Sequence, residues 1–178
     1  YADMVDSGVS HVKAPSLAGS PIVAPVDLVN GDSHPGDDHQ HGTHIASIIA
    51  SEGDIVGLAP GATLMPIKVL NQENHGTELD LVEGIHHAVD NGADIINMSL
   101  SFGAGYVPSP ALRKALERAH DAGIVMIAAA GNTGDDDVTW PAASHRVLAV
   151  GSAGIDRNRA LIWTPYTNHS TQVDLTAT

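Results

Sequence analysis

His41-Gly42-Thr43-His44 opens a run of small and apolar residues, Ile45-Ala46-Ser47-Ile48-Ile49-Ala50, at helical spacing. That spacing puts an imidazole on the first turn of a helix expected to be buried. Gly42 leaves room for a group to approach the ring closely. Val5-Asp6-Ser7-Gly8-Val9 sets a carboxylate at the end of a short apolar stretch, where a strand would turn. Ala128-Ala129-Ala130-Gly131-Asn132 ends another apolar stretch on an amide that donates two hydrogen bonds. Carboxylate, imidazole and amide are the groups that orient a base, take a proton and hold an oxyanion in hydrolysis by a nucleophilic side chain. A nucleophile in a matching context is not recognisable, because the chain has no cysteine and Ser7 and Ser152 are turn serines by local sequence. Each residue also has a local reading. Asp6 suits an Asx-turn, His41 the hydrogen bonds of a helix start, and Asn132 a turn beside Gly131 and Gly134. His44, one turn on, reads as a buried structural histidine.

The elements that must position these groups alternate between strand and helix. Residues 1–5 read as a strand, and residues 22–29 as a weaker one interrupted by Pro25. The acidic loop 30–40 leads to the helix starting near His41. Residues 62–70 form a strand in which Pro66 removes a ladder donor. Residues 77–91 form an amphipathic helix closed by Gly92, followed by a strand over 94–98. Ser109 caps a helix with Pro110 at its first position and Gly123 just past its end. Residues 124–129 and 146–150 are further buried strands. This pattern predicts an α/β fold, a three-layer sandwich with a mostly parallel central sheet covered on both faces. Without a repeat, linker or low-complexity tract, residues 1–178 read as one domain. Ligands gather at the carboxyl ends of such strands, and Asp6, Ser99 and Asn132 all follow apolar strands. His41 reaches the same edge if its helix runs back antiparallel to them.

Asp-Ser-Gly, His-Gly-Thr-His-Ile-Ala and Ala-Ala-Gly-Asn, in this order and with Asn132 91 positions after His41, resemble the subtilisin-like serine proteases, the subtilase or peptidase S8 family. The resemblance covers essentially the whole chain. It implies a subtilisin-like fold and an endopeptidase in which Asp6 orients His41, His41 is the general base and Asn132 donates to the oxyanion. Ser99-Leu100-Ser101 resembles the family's Ser-Leu-Gly segment, which pairs with substrate and walls the first specificity pocket, with Ala130 and Gly131 opposite. Ser101 replaces the usual glycine and Phe102 follows it, which narrows the cleft; an ordinary strand end is the local alternative. Trp140-Pro141 matches a step that is often cis in the family. The attacking serine of the family's Gly-Thr-Ser-Met-Ala segment is expected beyond residue 178, so the chain is expected to be C-terminally truncated and inactive alone. The first residue is Tyr1, so the chain is expected to begin after processing or to be a fragment. The resemblance further implies a protein or peptide substrate, admits an inhibitory propeptide, and suggests a secreted, extracellular protein. A non-catalytic subtilase-like peptide-binding or structural module is the competing reading, and a Gly-Thr-Ser sequence past Thr178 would decide between them.

Composition bounds the partners. A formal net charge of -13, with Asp as 16 of the 21 acids, would repel nucleic acid and anionic membranes. No apolar run approaches the roughly 18 residues of a membrane span, and no signal peptide is visible. In the acidic loop, Asp27 and Asp32 are spaced like calcium ligands of some subtilases, although Gly36 supplies no side-chain ligand where one is needed. His34, His39, His41 and His44 fit no standard zinc spacing. No organic cofactor is implied.

Overall fold

The computed structural model describes residues 14–178 in full and, before them, the backbone of strands β1 (Met4–Asp6) and β2 (Val9–His11). The strand expected over residues 1–5 therefore lies partly outside the described residues. β1 and β2 pair antiparallel, Asp6 opposite Val9, in a two-stranded ribbon. Asp6 thus ends one strand of this ribbon.

The chain divides into two compact units, residues 1–91 and 92–178. In the first, β3 (Val26–Asp27) runs parallel to β4 (Ile67–Lys68). The longer strands expected over 22–29 and 62–70 are cut to these pairs plus an isolated bridge between Ile22 and Leu64. Pro25 and Pro66 explain the interruption, since neither can donate to the ladder. Helix α2 (Glu78–Asp90) begins with a reciprocal cap between Thr77 and Asp80 and is followed by Gly92 in the left-handed region. It packs against β4 through Gly84, where a Cβ would meet Val69 Cγ1 at 3.0 Å and Ile67 Cγ2 at 3.1 Å. Leu81, Val82, Ile85 and Ala88 are buried on that helix.

Helix α1 (His41–Ala50) packs on a 3-10 turn at Pro15–Leu17, where Ser16 and Ser47 hydroxyls lie 3.1 Å apart. The carbonyls of Ile48 and Ile49 accept from Leu58 and Ala59, which closes the helix end. The helix is not buried along its length as the sequence suggests. Ala50 is enclosed, whereas Ile48 is 48% exposed. His44 is also exposed, not buried.

In the second unit, β5 (Ile95–Met98), β6 (Val125–Ala129) and β7 (Leu148–Ile155) are parallel neighbours. β9 (Leu175–Ala177) joins β7 in parallel, and β8 (Leu161–Trp163) joins it antiparallel. β7 runs past residue 150, where the expected strand stopped, and β8 has no counterpart in the sequence reading. Helix α3 (Pro110–Asp121) starts on Ser109, whose hydroxyl accepts from the Ala111 and Leu112 N–H groups. Leu112, Ala115, Leu116 and Ala119 are fully buried at the i, i+3, i+4, i+7 positions of one face, which lies against β6. The result is the expected α/β class with mostly parallel strands.

Candidate active site

His41 is the first residue of α1, and the loop before it builds an unusual helix start. The N-cap residue Gln40 has φ 70° and contributes no side-chain cap. Asp37 performs that task from outside the helix. Its Oδ1 accepts from the His39 N–H at 3.0 Å and the Gln40 N–H at 2.7 Å, and its Oδ2 accepts from the Thr43 N–H at 2.6 Å. Loss of water on the side facing the helix pulls the Asp37 pKa up. Hydrogen bonds from the Thr43 side chain and from the Thr43, His39 and Gln40 N–H groups outweigh this, holding it below its ordinary 3.8. A carboxylate at the positive end of a helix adds favourable electrostatics. The next residue, Asp38, is tied to β4 by Lys68 Nζ at 2.7 Å, and that ammonium also donates to the Leu70 carbonyl at 2.7 Å. The segment carrying His41 is therefore anchored on both sides. His41 is half-buried, and its ring lies edge-on to that of His39. The side chain of Asp6 lies outside the described residues, so its expected approach to His41 does as well.

In the second unit, Met98 and Ala128 are register partners on β5 and β6. Ser99-Leu100-Ser101 and Ala130-Gly131-Asn132 therefore leave neighbouring strands at the same carboxyl edge, as the sequence reading requires. Ser99 accepts from Asn97 Nδ2 at 2.9 Å. Ala130 is buried, its N–H donates to the Val150 carbonyl and its own carbonyl accepts from the Thr139 N–H. Phe102 stacks on Tyr106 with ring centroids 3.9 Å apart, and the Phe102 N–H donates to the Trp140 carbonyl. The Trp140-Pro141 peptide is cis, in line with the resemblance.

Asn132 is exposed. The left-handed conformations of its turn fall on Gly131 (φ 120°) and Gly134 (φ 73°), not on Asn132. A buried amide from a distant segment, Asn168, holds this turn. Neither Asp37 nor Asn168 stood out in the sequence. Asp37 lies in the acidic loop, where only Asp27 and Asp32 draw attention as spaced ligands; its signal is its place four residues before His41 and six before Thr43. Asn168 had no local signal.

Asp27 is fully buried. Its Oδ1 accepts from the Asn30 N–H and its Oδ2 from Asn30 Nδ2, both at 2.9 Å. Asp32 Oδ1 accepts from the His34 N–H at 2.7 Å. Among the described residues, no three acidic, histidine or cysteine side chains gather as a metal cluster.

The described residues thus combine mostly parallel α/β structure with a histidine opening a helix in the first unit and a Gly-Asn turn at the carboxyl edge of β6 in the second. The chain belongs to the subtilase family, whose pattern it matches over residues 4–178. It is 38% identical over 164 residues to subtilisin DY of Bacillus licheniformis, covering 88% of this chain and 57% of that protein. It is also 38% identical over 146 residues to the major intracellular serine protease of Bacillus subtilis (strain 168), covering 77% of this chain and 44% of the relative. The psychrophilic subtilisin-like protease Apa1 of Pseudoalteromonas sp. AS-11 superimposes with a TM-score of 0.77 at 30% identity, over 92% of this chain and 38% of that one. The chain thus spans about half the length of the curated relatives it matches. The fold is that of the subtilisin-like proteases. Among the described residues, no helix is long and apolar enough to cross a membrane.

Proposed function

We propose that this chain is the part of a serine endopeptidase that supplies its general base, the orienter of that base and an oxyanion donor. The observation that carries the reading is the family match over residues 4–178, which takes in Asp6, His41 and Asn132 together. The attacking serine is expected in a segment beyond residue 178. In this reading His41 accepts the serine proton through one ring nitrogen as the hydroxyl attacks the peptide carbonyl. Asp6 holds the other ring N–H and stabilises the imidazolium that forms. Asn132 donates its side-chain N–H to the oxygen that becomes negative. His41 then gives the proton to the leaving amine, and water repeats the sequence on the acyl-enzyme. Ser99, Leu100 and Ser101 on one side, with Ala130 and Gly131 on the other, flank the substrate, and Phe102 restricts its bulk.

The chain alone, without the serine, has no triad-dependent activity in this reading. An inhibitory propeptide is the expected additional partner. An extracellular location is part of the proposal, although one matched relative is by its name intracellular; detection of the protein in culture supernatant tests it. A calcium ion at Asp27 and Asp32 would be structural, since neither carboxylate belongs to the reacting set. Labelling of the full-length protein by a serine-directed fluorophosphonate, together with peptide hydrolysis that disappears in His41→Ala, tests the enzyme. Peptide binding without labelling or cleavage would replace it with a non-catalytic module.

A further inference from the structure

Asn168 lies 36 positions beyond Asn132 in sequence and yet holds the peptide units on both sides of it. The Asn168 N–H donates to the Gly131 carbonyl at 2.9 Å. Its Oδ1 accepts from the Thr133 N–H at 2.8 Å and the Gly134 N–H at 3.1 Å. The Thr133 hydroxyl, which also faces Asp135, lies 3.0 Å from the same oxygen. Its Nδ2 donates to the Asp137 carbonyl at 2.8 Å. Asn168 is 1% exposed, so its side of these bonds is shielded from water, although Thr133 and Asp137 are themselves exposed. The fit is close as well: a Cβ on Gly131 would lie 2.6 Å from Asn168 Nδ2. Asn132 itself is exposed, and the two peptide units that Asn168 holds set where its Cα–Cβ bond points.

An oxyanion donor is effective because it is already aimed when charge develops and no reorganisation is needed at that moment. We infer that Asn168 is a positioning residue for Asn132, fixing the turn 131–137 so that the Asn132 amide is presented at the carboxyl edge of β6 in one orientation. The inference rests on the proposed role of Asn132. It assigns to Asn168 no contact with substrate.

The test is a double-mutant cycle in the full-length protein, with kcat, KM and melting temperature measured for Asn132→Ala, Asn168→Ala and the double variant. Asn168→Ala is expected to lower kcat about tenfold with KM little changed, part of the loss that removing the whole donor causes. In the Asn132→Ala background it should lower kcat no further, because the amide it aims is gone. A parental kcat in Asn168→Ala, or losses that multiply in the double variant, would overturn the inference. A merely structural role predicts this multiplication, or a lowered melting temperature with kcat intact. Should Asn168→Ala fail to fold, Asn168→Ser, whose hydroxyl is too short to span the turn, enters the same cycle and is judged by the same criterion. A parental kcat in Asn132→Ala would remove the underlying reading and this inference with it. A normal loss there beside inert Asn168 variants would remove this inference alone.

Discussion

Replacing Asp37 by alanine takes away the acceptor for the His39, Gln40 and Thr43 N–H groups in a single step. Gln40 offers no substitute cap, so these donors return to water or go unpaired. Loss of an ordinary N-cap side chain costs roughly 0.5–2 kcal/mol. Three backbone donors and a charged acceptor argue for the top of that range, and solvent exposure of the carboxylate argues against exceeding it, giving about 2 kcal/mol. For a chain of this length that corresponds to a fall in melting temperature of roughly 4–8 °C. Scanning calorimetry of the parent and Asp37→Ala at neutral pH reads it directly. The pH dependence adds a sign. Because folding holds the Asp37 pKa below 3.8, its stabilisation is complete above that pH and is lost as the pH falls through the lower folded value. The gap between the two melting curves should therefore be constant near neutrality and close in acid. Equal melting temperatures at neutral pH, or a gap that widens in acid, would refute the claim that this carboxylate fastens the helix start.

In the full-length protein, Asn132→Ala is expected to lower kcat by roughly 100- to 1,000-fold with KM little changed, a range established on a subtilisin oxyanion asparagine itself. His41→Ala should cost more, since it disables the nucleophile with the base; steady-state peptide hydrolysis measures both. Gly131→Ala combines a φ of 120° with the contact on Asn168 and should destabilise by roughly 2–4 kcal/mol, measured by denaturant unfolding. Chelation with EDTA is expected to lower the melting temperature if Asp27 and Asp32 hold calcium, and an unchanged value removes the ion from the proposal.

The helices were legible because their punctuation is local. Thr77 with Asp80, and Ser109 with Pro110, announce a start within four residues, and Gly92 and Gly123 announce the stops. Strand extent was harder to read. Pro25 and Pro66 shortened β3 and β4, while Gly151 and Gly154 disguised the continuation of β7 that pairs with β8. The candidate chemistry was read from short motifs whose residues are neighbours in sequence. What supports it was not. Asp37 acts through backbone donors, which leave no mark on side-chain patterns, and Asn168 reaches Asn132's turn only after the chain has passed through β7 and β8.

The paired anchors at Asp37 and Asp38 bear on how this protein could be re-engineered. One carboxylate is fastened to α1 and the other to Lys68 of β4, while the turn opened by Asp27 closes on itself through Asn30 and Asp32. Residues 33–36 thus bridge two independently fixed points. A graft of foreign sequence at 33–36, a peptide tag or a lengthened surface loop, would leave the imidazole where it is. The same graft a few residues later, between 37 and 41, would not.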